Sequence, residues 1–352
     1  MVAPVLGLAD LADGAGALRL DSEGAVTQPV VVVDLDGIHD WTASVVTEAV
    51  AATAARSVVL IGVTSRVLPP QASPLLEALT CTVTSPHKND QPEIPVTMIE
   101  VDDPSTTVDA LTRTVDASPH AANTLTGLLR LTAALSPADG LVAESLAYSM
   151  LLAGPEFRDW RHNTPRHTPS NSADPVLIVR EGSTLRVTLN RPERHNAFGR
   201  GIRDGIIEAM QLAELDHSIE SVELSGNGKS FCSGGDLDEF GTTPDVASAH
   251  LIRLQQSAGY AVHRNAARVK AVLHGACMGA GIEIPAFASR VDARTDSYFQ
   301  LPELRMGLVP GAGGTVSITK RIGRWRTAYL ALSGQPVDVD TALRWGLVDE
   351  RV

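Results

Sequence analysis

Cysteine is scarce in this 352-residue chain: Cys81, Cys232 and Cys277 are odd in number and far apart. That pattern excludes a disulfide scaffold and suits a reducing compartment. Basic charge is also short, 29 Lys and Arg against 41 Asp and Glu, which leaves a formal net charge of −12 with no dense cationic run. A nucleic-acid partner is therefore not expected. No apolar run reaches membrane-spanning length, and the start "MVAPVLGLADLADG" has no basic segment of the kind that opens a secretory leader. A cytoplasmic protein without membrane contact is the expectation. No His, Cys and Asp cluster has metal-ligand spacing, so no metal is expected either. Aromatic residues make up only 4%, yet 44% of the chain is hydrophobic, enough for a sizeable core built from Ala, Leu and Val.

The pattern along the chain alternates strands and helices. "QPVVVVDLDG", Gln28–Gly37, and "SVVLIGV", Ser57–Val63, read as buried strands around a helical "TASVVTEAVAATAA". The Pro-rich piece "VLPPQASPLLEALTCTVTSPHKNDQPEIP" reads mostly as loop, and "VTMIEV", Val96–Val101, as a further strand. Helical periodicity follows to Trp160, with Asp103 or Ser105 and then Pro137 as start signals. "RHNTPRHTPSNSAD", Arg161–Asp174, lacks periodicity and reads as a linker. Beyond it come a two-strand pattern around a Gly-Ser turn, an amphipathic helix, and strands at "IESVELSG" and "VKAVLHG". The tail from Thr315 reads as helices to Val352. The strand–helix–strand order recurs in both halves, which hints at a duplication.

Two stretches place small residues directly after strands and just before acidic ones: "SFCSGGDLDEF", Ser230–Phe240, and "LHGACMGAGIE", Leu273–Glu283. Gly and Ala leave the backbone N–H bare and let a ligand approach, at a cost in chain entropy. Together with "LNRPERHNAF", Leu189–Phe198, and "LPELRMGLVPGAGGT", these stretches resemble the enoyl-CoA hydratase/isomerase, or crotonase, superfamily over Val176–Val352. The resemblance implies an α/β fold, a crotonase-type spiral of β-β-α units with flanking helices, coiling two roughly perpendicular sheets.

It also implies an acyl-CoA thioester substrate, no cofactor beyond the CoA of that substrate, and assembly as a homotrimer or hexamer. In the family two backbone N–H groups grip the thioester oxygen, and here they would be those of Gly235 and Ala280. Fixed donors of this kind contribute about 3–4 kcal/mol each to stabilising a developing oxyanion. Ala280 departs from the commoner Gly but donates the same N–H. The second motif also opens a helix whose N-terminal dipole would favour an anion. Hydratases of the family use two glutamates, which map onto Glu283 and Glu303, one to activate water and one to deliver a proton to Cα. Arg194 would meet a CoA phosphate or the adenine, with Asn196 ordering its turn. Ala197, Ser233, Gly234, Asp236, Leu237, Gly279 and Gly281 would complete the substrate contacts. Cys232 and His274 read as packed residues without catalytic work.

Relatives of usual length continue past "GLVDERV" with covering helices, and "ALTRTVDASPHAANTLTGLLRLTAALSPADGLVAESLAYSMLLAGPEFRDW" resembles that part. The implied arrangement is a rearranged crotonase. Residues 1–101 would form a degenerate crotonase-like segment and residues 102–160 covering or trimerisation helices. Residues 161–174 would link them to an active core at 175–352. Hydration of an α,β-unsaturated thioester is the leading function. Isomerisation or thioester hydrolysis from the same site, or acyl-CoA binding without turnover, are the alternatives.

Overall fold

The computed structural model describes residues 3–39, 41–54, 58–86, 94–166 and 174–352. The chain divides into two compact units, residues 1–130 with 323–333, and residues 131–322 with 334–352. The division thus falls inside the helix Pro119–Ala134 rather than in the expected 161–174 linker, of which residues 167–173 lie outside the described set.

The first unit is built on a five-stranded parallel sheet, ordered Val5–Leu6, Val30–Asp34, Val59–Thr64, Cys81–Thr84 and Met98–Glu100. The strands are β-branched and buried on both faces, as a covered parallel sheet requires. Val31, Val33, Leu60 and Leu75 sit in its core. The Pro-rich piece is not mostly loop: it contains the helix Ser73–Ala78 and the fully buried strand Cys81–Thr84. Pro74 sits in the first turn of that helix, where a missing N–H is harmless, so the proline starts the element it seemed to break. The helix Pro104–Ala117 is capped by Asp103, whose carboxylate accepts from the N–H groups of Ser105 and Thr106. It packs on the strands of the first unit.

The second unit carries a six-stranded sheet in the order Glu350–Arg351, Arg290–Ala293, Val269–Leu273, Ser221–Gly226, Thr184–Leu189 and Val176–Glu181. Only the last pair is antiparallel, joined at Gly182, whose φ of +62° suits a tight hairpin turn. A second sheet orders Ala276–Met278, Tyr298–Gln300 and Val337–Asp338. The strands at 337–338 and 350–351 correct the all-helical reading of the tail; two residues each are too few to show a period. The helices Pro137–Leu152 and Pro155–Asn163 belong to this unit, packing on the helix Val246–Gln255 and on the Glu303–Met306 turn. No helix among the described residues is long and apolar enough to cross a membrane.

Candidate active site

Sheet order brings the two Gly-rich stretches together. Ser221–Gly226 and Val269–Leu273 are adjacent parallel strands, so the segments leaving them emerge side by side at the carboxyl edge of the sheet. That edge is where open α/β sheets bind ligands. The segments are stitched by a parallel bridge, with Cys232 N–H donating to the Ala276 carbonyl and Met278 N–H to the Cys232 carbonyl. Gly281 lies so close that an added Cβ would stand 2.3 Å from the Cys232 carbonyl oxygen. Gly281→Ala should lower stability by roughly 1–3 kcal/mol through overpacking against rigid backbone, read as a shift in the urea midpoint.

A cleft of about 710 Å³ opens over this junction and is lined by Gly235, Ala280, Glu283 and Glu303, with Asp236 at its edge. Gly279 takes φ +47°, a left-handed conformation that presents the following residue, Ala280, at the first position of a helical turn. Ala280 itself is not among the residues with positive φ, so alanine fits there as well as glycine. The helix it opens is the single turn Ala280–Glu283, too short to carry much of a dipole; this corrects the expectation of a helix field. What remains is that Gly235 and Ala280 line one cleft.

Glu283 and Glu303 face the same small volume. A Cβ built on Gly279 would stand 2.5 Å from Oε1 of Glu303 and 3.6 Å from Oε1 of Glu283. The two oxygens are therefore separated by no more than the sum of those lengths. Both side chains are buried, at 2% and 7% exposure. Burial pushes the Glu283 carboxyl up to about 7, against the pull of the backbone N–H groups of Gly314, Ala312 and Gly311. Burial, and then repulsion from Glu283, pushes Glu303 well above the usual carboxylate range. Oε2 of Glu303 is buried and accepts no hydrogen bond, an arrangement that favours a carboxyl carrying its proton.

A third carboxylate completes the site, and the sequence motifs did not reveal it. Glu144, on the helix Pro137–Leu152, is 2% exposed and accepts from Gly313 N–H at 2.7 Å, Thr315 N–H at 3.0 Å and Thr315 Oγ1 at 2.6 Å. Glu283 Oε2 accepts from Ala312 N–H at 2.8 Å and Gly314 N–H at 2.9 Å. Four successive amides of "AGGT" are thus shared alternately between two carboxylates, which locks the loop that orients Glu283. Burial and the repulsion of Glu283 push the Glu144 carboxyl up to about 8. The only available signal was a lone acid in the apolar run "GLVAESLAYSMLL", the sole charge between Asp139 and Glu156.

Stability should follow these shifts in a defined direction. Carboxyls whose pKa is raised on folding, from 4.5 to about 7 for Glu283 and about 8 for Glu144, bind protons more tightly in the folded chain. Their contribution is complete below the unfolded value and is lost as pH rises through 7 and 8. Urea unfolding at pH 5 and pH 8 should therefore show Glu144→Gln gaining stability relative to the parent at the higher pH.

Of the remaining expected contacts Asp236 lines the cleft, and the others lie around it. Asn196, fully buried with φ +52°, donates to the carbonyls of Asn227, Ser230 and Phe231. Arg194 is engaged by Asp238 at 2.6 Å and Asp236 at 3.3 Å, so ion pairs occupy the guanidinium expected to meet CoA. Asp236 is buried between Arg194 and Arg191 and anchors the first Gly-rich stretch. Ala197 is buried, Ser233 N–H donates to His195, and the Gly234 carbonyl accepts from Phe198, all tying that stretch to the Arg191–Phe198 turn. Leu237 is half exposed and its carbonyl accepts from Arg161. Gly279 and Gly281 act through backbone shape. Cys232 is buried, and that burial pushes its thiol up to about 12, so it is unreactive. His274 is a core residue bonded to the Gly228 carbonyl. The other cleft-lining residues that the motifs did not single out include the aromatics Tyr148, Phe157, Phe198 and Phe240 and the arginines Arg200, Arg203 and Arg253.

Parallel strands thus end in two bridged Gly-rich segments with buried acids behind them. Residues 180–352 match the enoyl-CoA hydratase/isomerase family model. The chain is 32% identical over 177 residues to the trans-2-decenoyl-[acyl-carrier-protein] isomerase of Streptococcus mutans, covering 49% of this chain and 67% of that one. It is 29% identical over 175 residues to the 2,3-dehydroadipyl-CoA hydratase of Escherichia coli, covering 50% of this chain and 68% of that one. An enoyl-CoA hydratase structure from Thermoplasma volcanium matches at 32% identity with a TM-score of 0.48, over 51% of this chain and 72% of that one. The chain belongs to the enoyl-CoA hydratase/isomerase family.

Proposed function

We propose that the protein hydrates an α,β-unsaturated acyl-CoA thioester. The observation that carries this reading is the pair of buried carboxyls, Glu283 and Glu303, converging on Gly279 in a cleft that Gly235 and Ala280 also line. Glu283, held by two amides and the less shifted of the pair, is the base that takes a proton from water. The hydroxyl adds to Cβ, and the electron pair of the double bond moves to the thioester oxygen. That oxyanion is held by the N–H donors of Gly235 and Ala280. Glu303, which keeps its proton, delivers it to Cα. One proton passing from Glu283 to Glu303 then restores the starting state, and the sum of the steps is addition of one water. Glu144 acts as a positioning residue, through the loop it holds.

A second reading, double-bond isomerisation, is favoured by the 32% identity to an isomerase. It needs one carboxylate that removes a proton from one carbon and returns it to another. Chromatographic separation of the products from a trans-2-enoyl-CoA, followed by mass spectrometry, distinguishes hydrated, isomerised and unaltered ester. Hydration adds the mass of one water, isomerisation leaves the mass unchanged, and recovery of unaltered ester from a series of chain lengths would refute both.

A further inference from the structure

Among the arginines that line the cleft, Arg253 differs in its partners. Arg200 pairs with Glu239 and Arg203 with Asp204. Arg253, on the helix Val246–Gln255, forms no ion pair with any carboxylate among the described residues. Its Nε donates to Ser145 Oγ at 3.2 Å, and its Nη2 to the Ser145 carbonyl and to Ser149 Oγ. Nη1 takes part in none of these bonds. The guanidinium lies 4.8 Å from the centroid of the Tyr148 ring, which fixes its plane. A guanidinium stays charged in proteins, and removing it from water without a counter-ion is costly. Glu144 acts on this charge from beyond ion-pair distance, its carboxylate already held by Gly313 and Thr315. A partly buried guanidinium with no carboxylate in direct contact, in a substrate cleft, is thus placed to take an anion.

Its place in the cleft indicates which anion. The Tyr148 ring packs on Gly311, where an added Cβ would stand 2.3 Å from ring carbons, and the next residue, Ala312, donates its N–H to Glu283. Arg253 therefore stands one aromatic ring away from the loop that holds the base. The phosphates of CoA are separated from the thioester by the whole pantetheine arm, so a group this close to the reacting carbons belongs to the acyl chain. We infer that Arg253 receives a carboxylate borne by the acyl group, and that the preferred substrates are short unsaturated acyl-CoA esters ending in an acid. The inference rests on the acyl-CoA reading given above and names its substrate class.

The test uses saturated esters, so that binding is read without turnover. Calorimetry of the full chain compares succinyl-, glutaryl- and adipoyl-CoA with butyryl-, valeryl- and hexanoyl-CoA. At least one acid ester should bind about 10- to 100-fold more tightly than its neutral counterpart, the effect of one charged hydrogen-bonded pair. Arg253→Met should abolish that preference while leaving the neutral esters within about twofold, and Arg253→Lys should retain part of it. The N-acetylcysteamine thioesters of the same acids, which lack phosphate, should show the same dependence on Arg253. Equal binding of acid and neutral esters by the parent protein would overturn the inference and leave the acyl-CoA reading intact. Arg253→Met weakening all CoA esters alike, with no effect on the N-acetylcysteamine esters, would reassign Arg253 to a CoA phosphate and likewise overturn it. Failure of every CoA ester to bind would overturn both readings.

Discussion

Glu303→Gln should lower kcat for hydration by about 10²–10⁴-fold, the range for loss of a positioned acid or base, with much less change in KM. Glutamine keeps the size and polarity of the side chain but has no acidic proton to give to Cα. Oε2 of Glu303 has no hydrogen-bond partner, so the exchange breaks no existing bond at that atom. Glu283→Gln should fall in the same range for the complementary reason, since an amide does not accept a proton from water. One amide oxygen still accepts from Ala312 and Gly314, so the loop is retained. The pH profile has a defined sign. Glu283 must be ionised to act, so the rate should fall as pH drops below about 7 and the base becomes protonated. Glu303 must be protonated, so ionisation of the more strongly shifted carboxyl sets the alkaline limb. Parent-like rates in both variants would remove the acid–base pair from the mechanism.

Glu144→Ala should have the largest effect on stability. The substitution leaves Gly313 N–H, Thr315 N–H and Thr315 Oγ1 without their acceptor in a buried site. An orphaned buried donor costs about 1–3 kcal/mol, so a loss on the order of 3–6 kcal/mol is expected. Activity of the folded fraction should also drop by at least about tenfold, because the amides that hold Glu283 sit on the same loop. Glu144→Gln, which keeps an acceptor, should be milder in both respects. Urea midpoints and single-turnover rates measure the two effects separately. An unchanged midpoint and rate for Glu144→Ala would mean that the shared clamp on residues 312–315 has no energetic weight.

The parts of this site that the sequence made legible are local in the chain. The Gly-rich stretches and the buried turn at Asn196 each declare themselves within about a dozen residues, and Glu283 and Glu303 lie only 20 residues apart. Tyr148 and Phe157 reach the cleft, and Glu144 the loop behind it, from a segment that precedes residue 180, where the family match begins. Nothing near Glu144 in sequence names its partners at 313 and 315, since only tertiary packing brings them together. The boundary between the two units was hidden for a related reason. It falls within the helix Pro119–Ala134, and no break in periodicity or cluster of Pro and Gly marks it. The carboxylate partners of Arg194, Asp236 and Asp238, lie more than 40 residues away in the chain, so its ion pairs could not be read locally.

The most direct measurement is a crystal structure with a saturated acyl-CoA bound. The thioester oxygen is predicted to lie about 2.7–3.1 Å from the nitrogens of both Gly235 and Ala280, with Cα and Cβ facing the Glu303 and Glu283 carboxyls. A thioester seated elsewhere, or an oxygen in reach of neither amide, would contradict the account.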